Sequence, residues 1–207
     1  MNKRALWGSL WLLSQETIQV CHALVQSPPF FLLLLRIDEE LAEEARSGGC
    51  ACGGVLHRAN YPRKPRACPK EVRSAYESRF SFCCNRCRRR TTSRSVRFLG
   101  RRVYLGLAVV LVSARHAGQT PAAARLSGML DIPVRTLQRW REWWQKQFPL
   151  TQLWQASCAR FMPPVATDLC PASLLERFAG SAEEALMRLL VFLSPLTVKP
   201  INLREGR

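Results

Sequence analysis

Cysteine is the residue type whose spacing in this chain points to chemistry. Cys50-Ala51-Cys52-Gly53-Gly54 opens a stretch that Phe82-Cys83-Cys84-Asn85-Arg86-Cys87 closes, so two thiol clusters face each other across about thirty residues of Arg, Pro and Tyr. Zinc takes four sulfur or nitrogen ligands in a tetrahedron, and structural sites bring them as two close pairs from separate turns. Cys50 and Cys52 supply one pair and Cys84 and Cys87 the other, with Cys83 an alternative to Cys84 and with Cys68 and His57 nearby in the chain. Gly53-Gly54 permits the tight turn that lets backbone amides approach the sulfurs. Two other readings compete. Metal-free buried thiols are one, but adjacent cysteines in an arginine-rich loop make poor core residues. A redox dithiol is the other, but no C-x-x-C here opens a helix after a strand.

The elements that must position these sulfurs are short. Val55, Leu56 and Tyr61, and later Arg79 to Phe82, have the alternation and aromatic content of brief strands, confined by Pro62, Pro65 and Pro69. So small a fold buries too little to hold itself, and metal binding worth about 10–16 kcal/mol in small zinc modules supplies the difference. Upstream, Ile37, Leu41 and Ala45 recur every four residues against Asp38, Glu39, Glu40, Glu43 and Glu44. This predicts an acidic amphipathic helix over 36–46, stopped by Gly48-Gly49, whose acids either form a solvated face or mask the basic region beyond. Residues 1–35 are apolar and carry no assignable pattern.

After Cys87 come Arg88, Arg89, Arg90, Arg94, Arg97, Arg101 and Arg102, interleaved with Thr and Ser hydroxyls. Arginine grips phosphate through a planar bidentate fork, so this arm suits sequence-independent contact with a nucleic-acid backbone. Val103 to Ala114 is almost wholly apolar and predicts a buried helix. Thr120-Pro121 then starts a helix running to Leu130, Asp131-Ile132-Pro133 breaks it, and Val134 to Lys146 forms another with Val134, Leu137, Trp140 and Trp144 on one face. Two helices joined by a three-residue turn make a helix-turn-helix, whose second helix enters the major groove. Arg135, Gln138 and Arg139 are the candidates for base edges, and Thr136, Arg141 and Lys146 for phosphate. Trp140 and Trp144 read as core, while Trp143 is open to stacking on a base.

The order of a cysteine-pair ribbon, a CRRRTT…VRFLG segment, an apolar helix and a helix-turn-helix resembles the N-terminal DNA-binding portion of bacterial insertion-sequence transposases and transposon-associated proteins, over residues 48–147. The resemblance implies mobile-element DNA as ligand, zinc on the matching cysteines and transposition as the setting. Those enzymes continue into a ribonuclease-H-like domain with three carboxylates on two metals, whereas only 59 residues follow Phe148 here. The acids of the tail, Asp168, Glu176, Glu183, Glu184 and Glu205, have no strand pattern to gather them for two-metal chemistry. The tail instead predicts a helix over 171–179 closed by Gly180, then a capping box Ser181-Ala182-Glu183-Glu184 opening a Leu-rich helix that ends near Ser194-Pro195. Cys158 and Cys170 lack close partners and read as structural.

Composition agrees with a polyanion partner. Lys and Arg number 31 against 15 acids in 207 residues, and the 21 basic residues between Cys50 and Gln147 face four acids, a net +17. Charge of that density repels itself and suits nucleic acid first and an anionic membrane surface second. Nine is an odd number of cysteines, and the x and x-x spacings within the two clusters are those of metal ligands, which points to a reducing cytoplasm and, with DNA as partner, to the nucleoid. Lys3 and Arg4 before Ala5 to Leu13 imitate an export signal, but Gln15, Glu16 and Gln19 interrupt it, and the run Pro28 to Leu35 is too short to span a bilayer.

The expected protein is mainly α with a small β zinc ribbon: a helical extension over 1–47, the ribbon with its arginine arm over 48–102, the helix-turn-helix over 103–148 and a helical tail over 149–207. Its expected function is zinc-dependent binding of double-stranded DNA without catalysis in this chain, alone, as a homodimer or beside a transposase, and with no membrane partner. A degenerate or split transposase needing a separate nuclease, or an RNA-binding ribbon protein, are the alternatives.

Overall fold

The computed structural model describes Leu24 and residues 27–65, 68–99 and 133–198. Over these it combines helices with small antiparallel sheets. Helix α1, Pro28–Ser47, begins earlier than its acidic pattern suggests, because Ser27 caps it by accepting from the Phe30 amide and Pro28 occupies its first turn. The apolar run before Arg36 is therefore the first half of the same helix. That half buries Phe30, Phe31 and Leu34, while its second half buries Ala42 and, unexpectedly for an acidic face, Asp38. Gly48 and the left-handed Gly49 then end it and deliver the chain to Cys50.

The ribbon has three strands in the order β1 (Leu56–Arg58), β4 (Ser81–Cys84), β5 (Arg90–Thr92), all antiparallel. A second pair, β2 (Tyr61–Pro62) with β3 (Ser78–Arg79), lies beside it. Register decides which side chains meet. Leu56 pairs with Cys84 and Arg58 with Phe82, so Leu56, Phe82 and Cys84 share the inner face, where they pack with Ala42 of α1. His57, Cys83 and Arg90 form a row on the opposite face.

A larger core lies beside this one. It draws Phe30, Phe31 and Leu34 from α1, Tyr76 from the short 3-10 turns after Cys68, Val96 and Phe98 from the chain after β5, and the helices beyond Pro133. Helix α2, Val134–Glu142, widens into a π turn at Trp143–Gln147, and α3 (Gln152–Ser157), α4 (Ala172–Leu175) and α5 (Ala182–Leu193) follow. Trp140, Trp143, Trp144, Phe148 and Trp154 are all buried, with ring centres 4.9 Å apart for Trp144 and Phe148 and 5.1 Å for Phe148 and Trp154. Trp143 is thus a core residue, not a base-stacking platform. Helix α1 contributes residues to both cores.

The tail agrees with its pattern at one helix and departs from it at the other. Ser181 and Glu184 form the expected reciprocal capping box of α5. The helix expected over 171–179 closes after Leu175, because the Arg177 and Phe178 amides reach back only three residues, and Phe178 turns to meet Phe161 and Phe192. The apolar segment 103–114 and the first helix and turn of the expected helix-turn-helix, residues 120–132, lie outside the described residues, so that motif is not shown. Among the described residues, no helix is long and apolar enough to cross a membrane.

Candidate metal centre and basic surface

Four sulfurs converge where the loop after α1 meets the end of β4. The atoms of Cys50, Cys52, Cys84 and Cys87 all lie within 4.8 Å of one another, and the pairs Cys50–Cys87, Cys50–Cys52 and Cys52–Cys84 are each 3.5 Å apart. A tetrahedron of thiolates about 2.3 Å from zinc sets its sulfurs about 3.8 Å apart, close to the three 3.5 Å pairs, so the quartet could hold such an ion. Among the described residues it is the group of three or more metal-ligating side chains that can share an ion. An all-sulfur tetrahedral set selects zinc or iron over the oxygen-seeking metals.

Local backbone explains the convergence. Gly53 takes a positive φ of 74° and its amide donates to the Cys50 carbonyl at 2.8 Å, which folds the Cys50–Gly53 turn. A β-carbon on Gly54 would stand 2.5 Å from the Cys84 sulfur and 2.9 Å from Asn85 Oδ1, so this approach needs glycine. Asn85 ties the two halves together, its Oδ1 accepting from the Val55 amide at 2.9 Å and its own amide donating to the Val55 carbonyl at 3.0 Å. Arg88 closes the second turn in the left-handed region at φ 59°.

The sulfurs do not share protons equally. Amides of Cys87, 3.5 Å away, and of Arg86 donate to the Cys84 sulfur and hold its thiol down to about 6 despite burial. The Gly54 amide favours the Cys52 thiolate too, but proton sharing with Cys87, Cys84 and Cys50 outweighs it and pushes that thiol up to about 12. The backbone amides thus favour the thiolate form at Cys84 within the quartet.

The choice between the adjacent cysteines follows from strand alternation. Cys84 faces inward with the quartet, whereas Cys83 is on the outer face and its thiol points to the Arg88 carbonyl at 3.6 Å. His57 is exposed on that outer face. Cys68 is buried in the large core, where burial pushes its thiol up to about 11. Cys170 is also in that core, its thiol raised by burial, and Cys158 packs against the same core.

The arginine arm divides. Arg88, Arg89, Arg90 and Arg94 are exposed, as is Arg86 in the knuckle itself. Arg97 is not available to phosphate. It is 1% exposed, and its Nε donates to Asp38 Oδ2 at 2.7 Å while its terminal nitrogens donate to the Ala75 and Ser78 carbonyls. Its guanidinium lies about 5 Å from the rings of Tyr76, Phe80 and Phe98. Asp38 also accepts from the Ser95 hydroxyl and the Val96 amide, both at 2.6 Å, so the expected phosphate contact is an interior strut between α1 and the chain after β5. Arg101 and Arg102 lie outside the described residues.

On α2, Arg135, Gln138 and Arg139 are exposed and share one face by their spacing of three and four residues. Lys146 is exposed and Arg141 half-buried, but Thr136 is buried at 4% exposure and accepts from Arg139 at 3.5 Å, which removes it from the phosphate contacts. Sequence reasoning also missed Tyr61, whose ring lies under Arg90 at 4.4 Å and near Arg63 at 5.7 Å. The aromatic and basic residues of Tyr61-Pro62-Arg63-Lys64 were the available signal. No family model, no curated protein and no solved structure matches this chain, so the likeness to transposases rests on the quoted motifs alone.

Proposed function

We propose that this chain is a zinc-stapled DNA-binding protein of mobile-element type, without catalysis of its own. The observation that carries the reading is the continuity of the two features. The sulfur knuckle Cys84–Cys87 runs directly into the exposed Arg86, Arg88, Arg89 and Arg90, so an ion on the quartet would fix the base of the basic arm. A bound zinc would supply structure rather than reactivity, since four protein sulfurs leave no open position for substrate. Cys50, Cys52, Cys84 and Cys87 would hold it, and the arm would neutralise phosphates, releasing counterions from the duplex. Arg135, Gln138 and Arg139 are offered together on α2 and support a second contact, with base edges. The mobile-element setting, and a transposase or second copy as protein partner, belong to the proposal and draw only on the order of motifs in the sequence.

Elemental analysis and duplex binding test the reading together. The purified chain is expected to carry one zinc, lost in a Cys84→Ser, Cys87→Ser variant, and to bind a short duplex with an affinity that falls by about 10³-fold or more between ~50 and ~200 mM salt. Iron in place of zinc, or a zinc-loaded chain that ignores duplex DNA at low salt, would overturn it.

A further inference from the structure

Two guanidinium groups converge on one aromatic ring at the outer side of the ribbon. The Arg90 guanidinium carbon lies 4.4 Å from the Tyr61 ring centre, and that of Arg63 lies 5.7 Å from it. Each is also tied by a single nitrogen to backbone, Arg90 Nη1 donating to the Ala59 carbonyl at 3.0 Å and Arg63 Nη1 to the Pro62 carbonyl at 3.2 Å. Because β4 stands between β5 and β1, the Arg90 side chain must cross the outer face of the sheet to reach Ala59. It does so while remaining exposed.

Among the described residues these two cations have no counter-charge. The ion pairs among the described residues join Arg46 to Glu43, Arg94 to Glu44 and Arg97 to Asp38, and none includes Arg63 or Arg90. Like charges gathered on one ring repel, and a cation–π contact at an exposed site returns only about 0.5–1 kcal/mol. The arrangement does something further: it restrains two long side chains while leaving N–H groups of their planar forks unpaired among the described residues. Restraining an arginine before its ligand arrives lowers the entropy lost on binding. Two planar forks suit the paired non-bridging oxygens of a phosphodiester. Arg58, Lys64, Arg88 and Arg89, all exposed along the same ribbon, favour a chain of phosphates over a single small anion.

We propose that Tyr61, Arg63 and Arg90 form a clamp for one phosphodiester group of a nucleic-acid backbone, with Tyr61 positioning the two arginines. The clamp rests on the nucleic-acid reading above and names where that ligand is held most firmly. Its recognition is of backbone, not sequence, so it serves duplexes of any sequence alike.

The test uses the full zinc-loaded chain, a fluorescently labelled short duplex and anisotropy titrations across salt. Arg90→Lys keeps the charge but loses the fork and the ring stacking, and it is expected to weaken binding about fivefold or more with metal content and circular dichroism unchanged. Arg73→Lys, at an exposed arginine on the short 3-10 turns, is expected to match the wild type. Replacing Arg63 and Arg90 together by alanine should flatten the dependence of log affinity on log salt by about 0.9, the share of the single phosphate that the pair holds. Tyr61→Leu should lose more affinity than Tyr61→Phe, and Arg90→Lys decides the matter should Tyr61→Leu not fold. If Arg90→Lys binds as tightly as Arg73→Lys, the clamp is overturned although DNA binding stands. If the wild type binds no duplex, or binds only vesicles of anionic lipid, the nucleic-acid reading fails and the clamp with it.

Discussion

Arg90 and Arg97 stand seven residues apart in one arginine-rich run, yet the first is exposed across the ribbon and the second is enclosed at 1% exposure. The difference is set by what each meets. Arg90 leaves β5 on the outer face and finds an aromatic ring and a carbonyl, neither of which carries a counter-charge. Arg97 meets Asp38, two carbonyls and three aromatic rings, which together satisfy a charge that burial alone would make prohibitive. A run of like charges is thus two parts joined end to end: an exposed surface, which the proposed function gives to a polyanion, and a bolt that fastens the segment to α1.

The largest expected effect comes from removing what holds the outward half. Stripping a bound metal, or Cys84→Ser, takes away a site worth about 10–16 kcal/mol in small zinc modules, and the ribbon's own core of Ala42, Leu56, Phe82 and Cys84 is too small to compensate. Amide exchange should lose protection over residues 50–92 while the helices around Trp144 and Leu189 keep theirs. Acid should act in the same direction. The Cys84 thiol is held down to about 6 in the folded chain, below its ordinary value, so its contribution is complete at alkaline pH and disappears as pH falls through about 6. Equal loss of protection in both halves would show that they do not hold independently.

Next in size is the inward half. Asp38→Ala leaves Arg97 buried without a counter-charge and strands the Ser95 hydroxyl and Val96 amide, at an expected cost of about 3–5 kcal/mol in urea unfolding. Arg90→Ala should cost no more than about 1 kcal/mol of stability while weakening DNA binding. Comparable destabilisation by both substitutions would erase the distinction between the two arginines.

What was legible in the sequence tracks how local its cause is. The sulfur quartet and the Ser181–Glu184 capping box were legible because their partners lie within fixed short spacings, or in two such pairs. Cys83 and Cys84 became distinguishable only once the register placed Cys84 opposite Leu56, on the inner face. The start of α1 carried a local signal in Ser27 and Pro28, but the apolar run after it masked the helical period. Arg97 could not have been read, since its partner lies 59 residues upstream among four acids that look alike. Trp143 was ambiguous for a different reason: the π turn at Trp143–Gln147 shifts the helix period, so neighbouring Trp143 and Trp144 both turn inward.

The smallest expected effect tests where the run changes direction. Arg94, between the two halves, is exposed and donates to Glu44 Oε2 of α1 at 2.7 Å, in a pair whose side chains are 43% and 66% exposed. Water screens such a pair, so Glu44→Gln should cost less than about 1 kcal/mol in stability. Its effect on binding should have the opposite sign. A phosphate approaching Arg94 must compete with the Glu44 carboxylate, and removing that carboxylate frees the cation and deletes a nearby negative charge. Duplex affinity at low salt is therefore expected to rise about twofold to threefold in Glu44→Gln, with the gain disappearing at high salt as the Debye length shortens. The same measurement on Asp38→Asn should show no such gain, because freeing Arg97 from its carboxylate leaves it enclosed by Tyr76, Phe80 and Phe98, out of reach of any phosphate.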